Sequence, residues 1–313
     1  MINRTLIRQK TIQVVYAYFL RQNVNEAAAE KELMFSLNKS FDLYHSLLLL
    51  LPEMLYFAQN RIEIRRAKLQ PTEEDLNPNM RFVENRFLNQ LAANKELNDY
   101  RAKMTRSWAE QPEFIRRLFE KVERDKVYKE YMAMPSSTYD EDRDFCRAIY
   151  KRFIVGNDEL DDLFEEQSLY WNDDKTIVDT FVLKTFRLFE EANGEDQPLL
   201  PQFKAEDDKE FATILLHKAM SCREELTDIC DSHLQNWDKE RVAFMDRVIM
   251  VVALAEIMAF PTIPVNVTLN EYVEIARFYS TPKSVQFVNG VLDQAIKALD
   301  AEGRLIKTPI EKK

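Results

Sequence analysis

Four glycines in 313 residues is the feature that most narrows what this chain can fold into. Hairpins and tight turns draw on glycine wherever φ must be positive, and a helix loses about 1 kcal/mol for each glycine in its interior. A chain this long and this poor in glycine is read as all-α. Apolar residues make up 46% of it, enough for a sizeable core, and the 31% that are charged suit solvated helix faces. No stretch approaches the roughly 20 consecutive apolar residues that a bilayer span requires. The N-terminus lacks an apolar segment followed by a small-residue cleavage site, so a cytoplasmic protein is expected. An odd number of cysteines (Cys146, Cys222 and Cys230) fits reduced, buried thiols.

A formal net charge of −10 argues against indiscriminate nucleic-acid binding, because phosphate contacts need basic surface. The charge is uneven, however. No Asp or Glu occurs before Glu26, whereas Arg4, Arg8, Lys10 and Arg21 all fall in that stretch. An acid-free basic arm on an acidic protein is an electrostatic anomaly. Periodicity predicts a helix over residues 3–22, with Ile12, Val15, Tyr16 and Phe19 on one face and Arg4 and Arg8 one turn apart. A second helical stretch is predicted over residues 30–69, broken or kinked at Pro52. It ends in the cluster Arg61, Arg65, Arg66 and Lys68, read as a solvated face. Residues 70–79 read as a loop, Pro135-Ser-Ser-Thr as a break, and residues 191–205 as a linker.

An ungapped internal repeat crosses that linker. Residues 144–189 and 210–255 align at a constant offset of 66, pairing Phe145 with Phe211, Leu160 with Leu226, Trp171 with Trp237 and Val182 with Val248. Two similar helical hairpins are expected. The second carries Asp246-Arg247 where the first has Thr180-Phe181. Downstream, a helix is predicted over residues 239–259. Thr268 and Glu271 read as a capping box starting a helix near Leu269, and Thr281-Pro282 as the start of a last helix that Gly303 ends.

Catalytic chemistry is scarcely signalled. There is no glycine-rich phosphate loop, and His45, His217 and His233 are scattered. Cys222 and Cys230 lie eight residues apart, roughly 12 Å along a helix, which suits two buried thiols better than a metal site. No enzyme, metal or cofactor is expected.

The run Asn236-Trp-Asp-Lys-Glu-Arg-Val-Ala-Phe-Met-Asp-Arg, with Ala253-Leu-Ala-Glu-Ile, Pro264-Val-Asn-Val-Thr-Leu-Asn-Glu and Gln286-Phe-Val-Asn-Gly-Val-Leu-Asp, resembles the NusB family of transcription antitermination factors. Arg4, Arg8 and Gln13-Val-Val-Tyr16 are similar to that family's arginine-rich first helix. The resemblance implies a NusB-like helical bundle made of residues 1–24 and 206–302, with additional helices inserted after the first helix over 25–205 and a tail at 303–313. It implies two partners: single-stranded boxA-like RNA of ribosomal leaders, and NusE, which is also a small-subunit ribosomal protein. Both would act within an RNA polymerase antitermination complex. Carried over by position, Arg4, Arg8, Gln13 and Phe287 would face RNA, with Lys10 and Lys283 compensating there for arginines that this sequence lacks. Tyr16, Asp246 and Arg247 would face the protein partner. Trp237, Glu271, Asn289 and Gly290 would be structural.

Some positions depart from the pattern. Thr5 and Leu6 stand where the family has further arginines, Val251 replaces an arginine, and Ala255 a tyrosine. Each site residue also has a plainer reading: Tyr16 and Phe287 as core, Asn289-Gly290 as a close helix approach, Asp246-Arg247 as surface charge. Two competing functions follow. One is a protein-interaction scaffold without RNA binding, favoured by the thinned arginines and the acidic charge. The other is the RNA-binding module of a methyltransferase, disfavoured by the lack of a glycine-rich cofactor segment.

Overall fold

The computed structural model describes residues 1–21, 25–234 and 242–308. In chain order the helices are α1 (Arg4–Leu20), α2 (Glu26–Arg66), α3 (Glu73–Leu76), α4 (Arg86–Ala93), α5 (Lys95–Arg101), α6 (Pro112–Arg124), α7 (Lys126–Ala133) and α8 (Tyr139–Phe153). They continue with α9 (Asp158–Gln167), α10 (Lys175–Leu188), α11 (Asp208–Ser221), α12 (Arg223–Ser232), α13 (Phe244–Ala259), α14 (Val265–Tyr279) and α15 (Ser284–Ala301). Among the described residues the only extended pairing is an isolated bridge between Ile2 and Phe203. The all-α expectation holds.

Contacts divide the chain into two compact units. One, the arm unit, holds Ile2–Leu37 and Phe203–Lys313; the other, the central unit, holds Asn38–Gln202 with Met1. The boundary falls inside α2, so the first turns of the predicted insertion belong with the arm unit.

The arm unit is built around α13. Its residues 248–257 are buried without interruption, so the helix is apolar on every side and needs neighbours all round. Helices α1, α11, α12, α14 and α15 supply them. Asn3 caps α1, its side chain accepting from the Leu6 amide. Ile12, Val15 and Phe19 are buried as the stripe predicted, and Tyr16 is half-buried. The Thr268–Glu271 capping box is not formed. Pro264 occupies the N-cap and starts α14 at Val265, leaving Thr268 buried inside the helix. The last helix begins at Ser284, two residues beyond Pro282. It closes at Gly303 (φ +69), where the Arg304 amide bonds the Leu299 carbonyl, a closure that favours glycine.

In the central unit α2 continues through Pro52 rather than breaking there. Residues 70–79 contain the short helix α3, capped reciprocally by Thr72 and Asp75. The break at Pro135 leads into Thr138, which caps α8 together with Glu141.

The repeat has a structural counterpart. Helices α8, α9 and α10 match α11, α12 and α13 near the offset of 66. Phe145 and Phe211, Leu160 and Leu226, and Val182 and Val248 are buried in pairs. Trp171 is buried and donates to the Lys39 carbonyl at 2.7 Å; its predicted partner Trp237 lies outside the described residues.

Candidate nucleic-acid and partner interface

The basic arm is α1, and the packing of α1 against α11 and α13 sorts its cations into two kinds. Arg4, at the first helical position, keeps about a third of its side chain exposed (35%). Its Nε donates to Asp208 Oδ1 at 3.2 Å and its Nη2 to Asp207 Oδ2 at 2.8 Å. Asp208 is buried and Asp207 is exposed, so one carboxylate fixes the guanidinium while the other is an exchangeable surface partner.

Arg8, expected to face RNA, is instead buried. It grips Glu256 with two parallel bonds, Nε to Oε2 at 2.8 Å and Nη2 to Oε1 at 2.7 Å, and its Nη1 lies 3.2 Å from Glu271. Thr268 and the Tyr272 hydroxyl also donate to Glu256, at 2.8 and 3.0 Å. Four donated bonds satisfy this fully buried carboxylate. Burial opposes the Arg8 charge, but the Glu256 carboxylate overrides it and raises the arginine pKa. Burial pushes the Tyr272 hydroxyl well above its ordinary range, with Glu256 adding to it. Arg4 and Arg8 also lie over the Phe211 ring, 4.9 and 5.6 Å from its centroid.

Lys10 is likewise buried, so its ammonium is not on an RNA-facing surface. Gln13 donates to the Tyr279 hydroxyl at 3.0 Å, tying α1 to α14. Tyr16 meets Phe244 edge-on, with ring centroids 5.1 Å apart. Asp246, expected at a partner surface, is buried, and its Oδ1 has no hydrogen-bond partner among the described residues. Its position in the first turn of α13 turns it inward, while Arg247 pairs with Asp231 at 2.6 Å. Glu271 does not cap α14; it accepts from Thr5 at 2.9 Å and joins the Arg8 pair.

On α15, Lys283 is exposed just before the first turn, Phe287 is buried one turn on, and Asn289 and Gly290 are exposed. A Cβ on Gly290 would meet nothing within 4 Å, so helix packing does not require this glycine. The partly exposed Arg4 and the exposed Lys283 are thus separated by burial from Arg8, Lys10 and Phe287.

The residues that sequence reasoning missed are acids. Glu256 is the one charge inside an apolar run, and that isolation was the available signal for a buried ion pair. Asp208 carried no comparable signal. Among the described residues no group of three or more His, Cys, Asp or Glu is placed to hold a metal. Cys146 and Cys230 are buried free thiols, Cys230 pushed up to about 12 by burial, and Cys222 is partly exposed. None of the described helices is long and apolar enough to cross a membrane.

Residues 183–297 match the family model described as the NusB family. A transcription antitermination protein NusB of Salinibacter ruber is 35% identical over 133 residues, which is 41% of this chain and 83% of that protein. The chain belongs to the NusB family. Another NusB, from Koribacter versatilis, is 46% identical over 97 residues, covering 31% of this chain and 66% of that protein. A third, from Chloroherpeton thalassium, is 33% identical over 100 residues, covering 32% and 47%. The aligned stretches therefore span less than two thirds of two of these relatives. No solved structure matches the chain significantly. The NusB match takes in α11 to α15 and leaves the arm helix and most of the central unit outside it.

Proposed function

We propose that this NusB-family protein is a transcription antitermination factor that binds boxA-type single-stranded RNA together with the ribosomal protein NusE, within the RNA polymerase antitermination complex. The observation that carries this reading is an acid-free arm docked on the family's own helices, with one guanidinium left outward. Arg4 is preoriented by Asp208, and an RNA phosphate can replace the exposed Asp207 at small cost. Lys283 supplies a second exposed cation beside the start of α15. Arg8 acts behind this surface, holding the arm in place through Glu256. Tyr16 and Arg247, both partly exposed, are the side chains offered to the protein partner. Function here is binding energy rather than catalysis: two cations give weak RNA affinity alone, and a basic partner raises it.

A scaffold without RNA binding is the second reading, favoured by the burial of Arg8 and Lys10. Binding of labelled boxA-type RNA across a salt series, with and without NusE, separates the two. Partner-dependent binding that Arg4→Ala and Lys283→Ala both weaken is the expected result. NusE binding with no contribution from RNA would establish the scaffold.

A further inference from the structure

The duplication reaches further than the two hairpins. In the arm unit, Asn3 caps α1, Arg4 follows it, and the Arg4 side chain reaches Asp208 at the start of α11. In the central unit, Asn85 caps α4, Arg86 follows it, and Arg86 meets Asp142 near the start of α8. Asp142 and Asp208 are 66 residues apart, the spacing of the hairpin repeat. Leu6 and Leu88 are both fully buried and both donate their amides to the capping asparagine. One turn on, Arg8 bonds the side chain of Glu256, while Gln90 bonds the carbonyl of Glu190, again 66 residues apart. Helix α4 packs on α8 as α1 packs on α11. The central unit therefore contains a second, diverged copy of the arm-and-hairpin plan, with Arg86 in the place of Arg4.

The copied arginine has the same mixed surroundings. Asp142 is buried and satisfied without the guanidinium, since the Tyr131 hydroxyl donates to it at 2.7 Å and the Arg86 amide at 2.8 Å. The Arg86 side chain is 47% exposed and pairs at 2.9 Å with Glu191, itself 54% exposed. Its Nη2 donates to the Ser137 carbonyl at 3.0 Å, and Arg81 Nη1 donates to Ser137 Oγ at 3.1 Å. Two guanidiniums thus converge on one residue, with an exposed carboxylate as the exchangeable partner. Of the acids at the start of α8, Asp140 pairs with Arg143 and Glu141 caps with Thr138.

The geometry points to Arg86 and Arg81 as a second phosphate-contact site for single-stranded RNA, the counterpart in the central unit of the Arg4 site. This rests on the RNA-binding reading above. Arg86 is held by the Ser137 carbonyl, with Asp142 3.7 Å away, and an RNA phosphate takes the position of the Glu191 carboxylate.

The test uses the full chain, NusE and two labelled RNAs, one confined to boxA and one extended by its flanking leader sequence. Arg86→Ala and Arg81→Ala should each weaken binding of the extended RNA by about threefold and lower its salt slope by about 0.7, the value of one single-strand phosphate contact. Glu191→Gln should strengthen that binding, a gain that a merely structural role would not produce. Because Asp142 keeps two donors in Arg86→Ala, the fold should persist, and circular dichroism checks it. If Arg4→Ala weakens binding while Arg86→Ala, Arg81→Ala and Glu191→Gln leave both RNAs unaffected, the second site is refuted and the family reading stands. If Arg4→Ala is also without effect, the RNA-binding reading itself fails.

Discussion

At the scale of single residues, two cations that look alike in sequence have opposite roles. Arg8 is an interior ion whose loss would leave Glu256 buried with only Thr268 and Tyr272 as donors. Arg8→Ala should therefore cost about 3–5 kcal/mol in urea unfolding. Combining Arg8→Met with Glu256→Gln should cost clearly less than the sum of the single changes, because no uncompensated charge remains. Additive losses would refute the pairing. His217 works at the surface, its Nδ1 3.1 Å from Glu26 and its Nε2 3.1 Å from Glu30, and the hydrogen bonds it donates to these two carboxylates raise its pKa above its ordinary value. A raised folded pKa means that the bridge's contribution is complete below the unfolded value and fades as pH climbs through the folded one. The stability gap between the protein and His217→Gln should be larger at about pH 5.5 than at about pH 9. A gap that widens with pH would contradict this assignment.

At the scale of elements, α15 carries a glycine with no packing reason to be there. Gly290 lies mid-helix in open space. Gly290→Ala should stabilise the protein by about 0.5–1 kcal/mol, since alanine lowers the backbone entropy lost on folding. If RNA or NusE affinity drops in the same variant, the glycine is serving a close approach by a partner. A loss of stability would instead mean that a neighbour occupies the space. The arm helix illustrates how an element inherits its exposure: α1 is amphipathic by sequence, but the turn that carries Arg8 faces Glu256, while the turn that carries Arg4 reaches the rim.

For the whole molecule, a net charge of −10 limits what the proposed RNA binding can be built from. With Arg4, Lys283 and the Arg81–Arg86 pair as the contacts, the slope of log affinity against log salt should lie between about −1.5 and −3. A slope steeper than about −5 would require a basic surface that these residues do not provide. The division into two units also explains why the family match covers so little of the chain. The NusB match, residues 183–297, falls mostly in the arm unit and reaches only the end of the central one.

The sequence by itself determined the helical class, through its four glycines and its 3.6-residue periodicity. It determined the family too, through short blocks in order over residues 236–293. It also displayed the duplication, because equivalent buried positions retain apolar residues at a fixed offset. Only the tertiary structure decided which side of each cation faces inward. Arg4 and Arg8 share one helical face in sequence, and nothing local states that Glu256, some 250 residues away, claims one and not the other. Asp246 read as a partner-facing residue and is buried, and the Thr268–Glu271 spacing read as a cap and is spent on Glu256 and Arg8. Local rules cover bonds within a turn of helix. A buried ion pair is chosen by what lies opposite once the bundle has closed, because only there does the cost of desolvation make one partner obligatory.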